Sequence, residues 1–119
     1  MKDISDAELE VMQFLWKNGE STSIEIVKYV SQKNEWKSNT IMTLVSRLVS
    51  KGFVEAVKNK GKLIIYKPIM PEEKYKTKET NTFIEKMYEG SLNNMLVAFA
   101  KSKRLTKEDL KDLMKLIDD

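Results

Sequence analysis

The sequence predicts a mainly α fold with one small β-hairpin, divided into domains of about residues 1–70 and 71–119. Three observations predict it. Helix starts are marked by capping boxes, in which a cap hydroxyl and a carboxylate three residues on satisfy orphan amides reciprocally. Between Gly52 and Pro68 the hydrophobic period changes from that of a helix to that of a strand. Positive charge is gathered in one block of about forty residues rather than spread along the chain.

Taken in order, Ser5 with Glu8 opens a helix over about 6–18, stopped by Asn18-Gly19. Thr22 with Glu25 opens a second over about 23–33, with Ile24, Val27 and Val30 expected to turn inward. A third, about 39–51, has Ser38 as its expected N-cap and Gly52 as its stop. Ile41, Leu44, Val45 and Leu48 fall at i, i+3, i+4 and i+7, the stripe of a helix packed on a core. F-V-E-A-V-K then reads as a strand, N-K-G-K as a tight turn and L-I-I-Y-K as the returning strand. Pro68 and Pro71 end the hairpin and start a helix near residue 72, which runs through Phe83, Ile84, Met87 and Tyr88 to a break at Gly90. Helices over about 91–101 and 107–118 follow, the last opened by Thr106 with Asp109. Second and third helices with a short connection form a helix-turn-helix, and the hairpin is its wing. The fold class is therefore a winged helix-turn-helix followed by a C-terminal helical domain.

Composition removes several kinds of chemistry. With 119 residues and 41% apolar content the chain has the make-up of a soluble globular protein. No apolar run approaches the ~20 residues that span a bilayer, and the acidic start M-K-D-I-S-D-A-E is unlike a signal peptide, so no membrane insertion and a cytoplasmic location are expected. There is no Cys and no His, which excludes disulfides, thiolate metal sites, imidazole ligands and the commonest general base. Ser, Thr and Lys are plentiful, but no nucleophile has a base or a glycine elbow beside it. Neither an enzyme nor a cofactor is expected.

Net charge is +3, unevenly divided. Residues 1–27 carry two lysines against six acids, a net of −4. Residues 28–67 carry nine cations against Glu35 and Glu55, a net of +7, and residues 68–119 carry ten of each sign. Within the basic block lies a run from Trp36 to Phe53 that contains no acid at all. An ordinary exposed helix face would carry Glu–Lys pairs. This one presents Asn39, Thr40, Met42, Thr43, Ser46, Arg47 and Ser50. A helix entering the major groove of DNA needs such a face, free of repelling carboxylates. Thr, Ser and Asn can bond base edges or phosphates, Thr and Met can touch thymine methyls, and Arg can fork onto guanine. Lys58, Lys60 and Lys62 around the hairpin turn suit phosphate contacts, which position without reading sequence. Trp16 is assigned to packing, and Trp36 to the core in preference to the DNA backbone.

The C-terminal segment carries two apolar stripes, Leu92, Met95, Leu96 and Phe99, then Leu110, Leu113, Met114 and Ile117. A piece of ~50 residues without disulfide or metal rarely builds its own core, so these stripes need a partner surface. Folding back on residues 1–70 is one solution. Homodimerisation is the expected one, because a helix-turn-helix reader commonly pairs two half-sites.

Three stretches, "ISDAELEVMQFLW", "WKSNTIMTLVSRLVSKGF" and "YKTKETNTFIEKMYEGSLNNMLVAFAKSKRLTKEDLKDLMKLI", resemble the penicillinase-repressor family, which includes the β-lactamase and methicillin-resistance repressors. The most specific part is matched by Trp36, Thr40, Ile41, Thr43, Leu44, Arg47, Leu48, Lys51 and Gly52. The resemblance implies a winged-helix DNA-binding domain at 1–70, a dimerisation domain at 71–119, and repression at inverted repeats of TACA/TGTA type. It also implies relief by a membrane sensor with a metalloprotease domain, which cuts at the position of Ala98–Phe99. The repressors that define that bond carry Asn where this chain has Ala98. A copper-responsive branch has a Cys-rich tail, and this chain has no Cys. Carried over by position, the resemblance implies Thr40, Thr43 and Arg47 as base readers, with Ser38, Lys51 and the wing lysines on phosphates; from the reading of the face itself, Met42 is expected among the base readers and Asn39 and Ser46 among the backbone contacts. The competing reading is a winged-helix interaction module that turns the same basic face to a protein or RNA.

Overall fold

The computed structural model describes residues 3–58, 61 and 63–118. Helix α1 spans Asp6–Asn18, α2 Ser23–Asn34 and α3 Ser38–Lys51. Strands β2 (Val54–Lys58) and β3 (Ile64–Pro68) form the hairpin. Helices α4 (Glu72–Tyr88), α5 (Leu92–Lys101) and α6 (Lys107–Asp118) follow. A two-residue strand β1, Ser21–Thr22, precedes α2 and was not expected. It pairs antiparallel with β3, Ser21 opposite Tyr66 and Thr22 opposite Ile65, so β3 is the central strand of a three-stranded sheet ordered β1-β3-β2. Two residues have no period for a sequence reading to find.

The expected capping boxes are present. The Ser5 N–H donates to Glu8 Oε1 at 2.8 Å and the Glu8 N–H donates back to Ser5 Oγ at 3.1 Å. Thr22 with Glu25 and Thr106 with Asp109 repeat the pattern. Helix α3 differs. Lys37 occupies the extended cap position and Ser38 is the first helical residue, with no side chain capping the N-terminus.

By contacts the chain divides into Met1–Tyr75 and Lys76–Asp119. The core of the first unit is made by Val11, Met12 and Leu15 of α1, Ile26 and Val30 of α2, the α3 stripe Ile41, Leu44, Val45 and Leu48, and Phe53, Val54 and Tyr66 of the hairpin. Trp16 packs against Tyr75 at 5.8 Å between ring centroids, and its Nε1 donates to the Met70 carbonyl at 2.8 Å. Phe53 meets Tyr75 edge-on, which fixes the first turn of α4 to this core. Trp36 is partly buried against the same cluster.

Ile24 corrects the expectation. It is 71% exposed, and Ile26 takes the core position. At about 100° per residue Ile26, Val27 and Val30 share one side of α2, while Ile24 lies about 160° from Ile26. Three apolar residues at 24, 27 and 30 imitate a stripe, but the dense side of the helix is elsewhere.

Glu8 is the charged residue that this core encloses, only 1% exposed. Its Oε1 accepts from Lys51 Nζ at 2.6 Å, and the same ammonium donates to the Asp3 carbonyl at 2.9 Å. Burial opposes ionisation of Glu8, but the Lys51 hydrogen bond, the Ser5 amide and the nearby ammonium charge outweigh it, so its pKa lies below the usual carboxylate value.

The second unit is arranged around breaks. Glu89 and Gly90 take positive φ at the end of α4, Ser91 caps α5 through the Asn94 amide, and Lys103 turns the chain again before α6. No residue of α5 or α6 is buried in the single chain.

Glu8→Gln should lower stability at neutral pH by about 3 kcal/mol, the low end for one member of a buried ion pair, since the Lys51 side chain stays 24% exposed. A lowered folded pKa means that the Glu8 contribution is complete above the unfolded value of about 4.3 and is lost as pH falls through the folded value. Urea unfolding at several pH values should therefore show a shallower acid limb in the variant. Equal loss of stability on acidification in both proteins would refute the assignment.

Candidate nucleic-acid interface

The geometry of α3 sorts its side chains into sectors. At 100° per residue Asn39, Thr40, Thr43, Ser46, Arg47 and Ser50 share an arc of about 120°. All six are exposed. The buried stripe lies on the opposite side. Short polar side chains and one guanidinium thus form a continuous surface that contains no carboxylate. Thr43 Oγ1 donates to the Asn39 carbonyl at 2.9 Å, which holds its rotamer.

Ser38 and Met42 lie on one flank of that arc, toward α2. Met42 is partly buried against the core rather than wholly presented to solvent. Lys51 lies on the other flank, next to the buried stripe. This explains why its ammonium reaches Glu8 and Asp3, and it corrects the expectation of a phosphate contact there. Lys58 is exposed at the end of β2, opposite Ile64. Lys60 and Lys62 lie outside the described residues.

The basic block is sorted by pairing. Glu10 pairs with Lys33 at 3.0 Å and Glu20 with Lys67 at 3.4 Å, as Glu8 does with Lys51. Hydrogen bonds from Lys33 and then Asn34 lower the Glu10 pKa against a smaller opposing effect of burial. Acids of the N-terminal segment therefore neutralise three cations of the block. Among the described residues Lys28, Lys37, Arg47 and Lys58 enter no salt bridge, and Arg47 stands inside the acid-free arc.

The penicillinase repressor family model matches residues 4–119. The chain belongs to the penicillinase repressor family. It is 33% identical to the penicillinase repressor of Bacillus licheniformis over 98% of this chain and 90% of that protein. It is 29% identical to the methicillin resistance regulatory protein MecI of Staphylococcus aureus, over 98% of this chain and 94% of that one. Among solved structures it is similar to the monomeric form of Bacillus licheniformis BlaI in complex with the blaP half-operator. That match has a TM-score of 0.56 and 38% identity, and covers 62% of this chain and 89% of the other. The winged-helix fold class is thereby shown, and the family is one of repressors, not enzymes.

The remaining expected residues of this penicillinase-repressor chain fall on α5 and α6. Leu92, Leu110, Leu113, Met114 and Ile117 are exposed, Ile117 at 79%, while Met95, Leu96 and Phe99 are partly so. Ala98–Phe99 lies within α5, where the Ala98 carbonyl accepts from the Ser102 amide and the Phe99 carbonyl accepts from Arg104 and Leu105. No described helix is long and apolar enough to cross a membrane. Sequence reasoning missed Ile24 as a surface residue of the α2–α3 region. Its signal was helical phase, since Ile26 and Val30 are a full turn apart and Ile24 is not in line with them.

The turn before α3 holds one strained residue. Glu35 ends α2 with φ 56 and ψ 31, a left-handed conformation that a β-carbon disfavours. Glu35→Gly should raise stability by about 1 kcal/mol, seen as a higher denaturation midpoint with unchanged m-value. A lower midpoint would mean that the Glu35 side chain contributes more than its backbone costs.

Proposed function

We propose that this chain is a homodimeric transcriptional repressor that inserts α3 into the major groove of inverted-repeat operators of TACA/TGTA type. The observation that carries the reading is the exposed, carboxylate-free arc of α3, with Arg47 unpaired among the described residues. In this reading Thr40, Thr43 and Arg47 read base edges, with Met42 touching them from the flank. Ser38, Asn39, Ser46, Lys58, Lys60 and Lys62 meet the DNA backbone. The absence of a capping side chain at the start of α3 suits this role, because its first amides remain available to a phosphate. Support also comes from the family and from the operator-bound relative.

The 71–119 segment is the dimerisation domain in the same proposal. Uncovered stripes on α5 and α6 are large for a surface left to water, and a second copy is the partner that a two-half-site reader requires. Relief follows from cleavage at Ala98–Phe99 by a membrane sensor protease acting on the cytoplasmic repressor. The cut would sever α6 from the DNA-reading unit and leave α3 untouched. Because the bond is inside a helix, cutting requires the last turn of α5 to unwind first.

Binding should be steep in salt. If about six to eight cations per dimer neutralise phosphates, log K against log salt has a slope of roughly −5 to −7. Lys58→Ala should make the slope shallower, whereas Lys51→Met should lower stability and leave the slope unchanged. Arg47→Ala should lose discrimination between operator and random DNA by roughly 1–3 kcal/mol while retaining nonspecific affinity. A mobility-shift titration at several salt concentrations measures all three, and a flat salt response would refute groove binding.

Leu113→Asp should produce monomers in sedimentation and weaken operator binding by orders of magnitude, since an unpaired carboxylate cannot be accommodated in an apolar interface. A variant that still sediments as a dimer would place the interface elsewhere.

A further inference from the structure

We infer that Ile24 and Met42 form a reader for a thymine 5-methyl group, a specificity element separate from the polar arc of α3; the inference rests on the reading of α3 as the major-groove helix. Between the first turns of α2 and α3 lies an open cleft of about 460 Å³ lined by Ser23, Ile24, Val27, Lys28, Ser38 and Met42. Its walls are the aliphatic side chains, its other groups are two hydroxyls and one ammonium, and none of its lining residues is acidic.

Ile24 is the informative member. A lone exposed isoleucine needs no explanation. This one, at 71% exposure, joins Val27 and the partly buried Met42 in a single apolar surface beside the carboxylate-free arc. Charge decides the occupant. Lys28 enters no salt bridge among the described residues, and the surrounding block is strongly basic. An apolar surface rimmed by hydroxyls and a cation matches the thymine edge of a major groove, where a methyl group lies between base acceptors and the phosphate backbone. By helical phase Ser38 and Met42 follow Ser46 and Asn39 on the side of the arc that faces α2, so a helix seated in the groove brings the cleft to the base pairs at that edge of the site.

The test uses a synthetic duplex bearing a TACA/TGTA inverted repeat, with uracil substituted for thymine at one position of one half-site at a time. This exchange removes only the methyl group and leaves base pairing intact. For the natural protein, one position should weaken binding about fourfold, the factor for one apolar carbon taken from water. Ile24→Ala should weaken binding to the thymine duplex by a similar factor and show no further loss with uracil at that position. Its salt slope should be unchanged, because no charge is removed. Exposure of Ile24 makes the variant safe for folding, and Ile24→Val should retain part of the thymine preference.

Failure of the two readings is distinguishable. If the natural protein does not retard the thymine duplex in competition with random DNA, the groove reading fails and this inference falls with it. If it binds and Ile24→Ala responds to every uracil exactly as the natural protein does, groove binding stands and the methyl reader is overturned. Loss of affinity at no uracil position overturns it equally.

Discussion

The buried contact between Glu8 and Lys51 is the constraint on which the rest of the winged-helix unit depends. One carboxylate caps the start of α1 and grips the last residue of α3, and the same ammonium reaches the Asp3 carbonyl. Charge buried this deeply is unfavourable unless it is paired and hydrogen-bonded, and here the Ser5 amide and the Lys51 ammonium both donate to Oε1. The consequence is orientational. With its C-terminal end tied to α1 and its apolar stripe in the core, α3 has no freedom to roll, so the polar arc is held toward solvent.

The same principle sorts the charges of the molecule. The N-terminal segment supplies carboxylates to Lys33, Lys51 and Lys67. The two more exposed pairs, Lys33 with Glu10 and Lys67 with Glu20, add little stability. Their larger effect is on the field, since they remove positive charge where it is not needed and leave Arg47 and Lys58 unneutralised. A net charge of +3 therefore understates how polarised the surface is.

The second unit follows the opposite logic. Its helices are well capped and amphipathic, but in the single chain they enclose nothing. Short helices in water gain most of their stability from packing an apolar face. The stripes on α5 and α6 are apolar faces that the single chain leaves without that packing.

Sequence alone determined the helices, the hairpin and the acid-free face, because capping boxes, glycine stops and hydrophobic period are local signals between residues at most a few turns apart. The stretch around Trp36 to Gly52 was specific enough to indicate the family as well. Tertiary structure decided what local signals cannot carry. Strand β1 exists because β3 offers it an edge, and its two residues have no pattern of their own. Ile24 and Ile26 compete for the core, and only the packing of α2 on α1 and α3 selects the phase. Lys51 looks the same in sequence whether it meets a phosphate or a carboxylate forty-three residues away, and the fold brings it to Glu8. Helical geometry is written in neighbouring residues, whereas the partner of a charged side chain is chosen by whichever distant group the packed chain delivers.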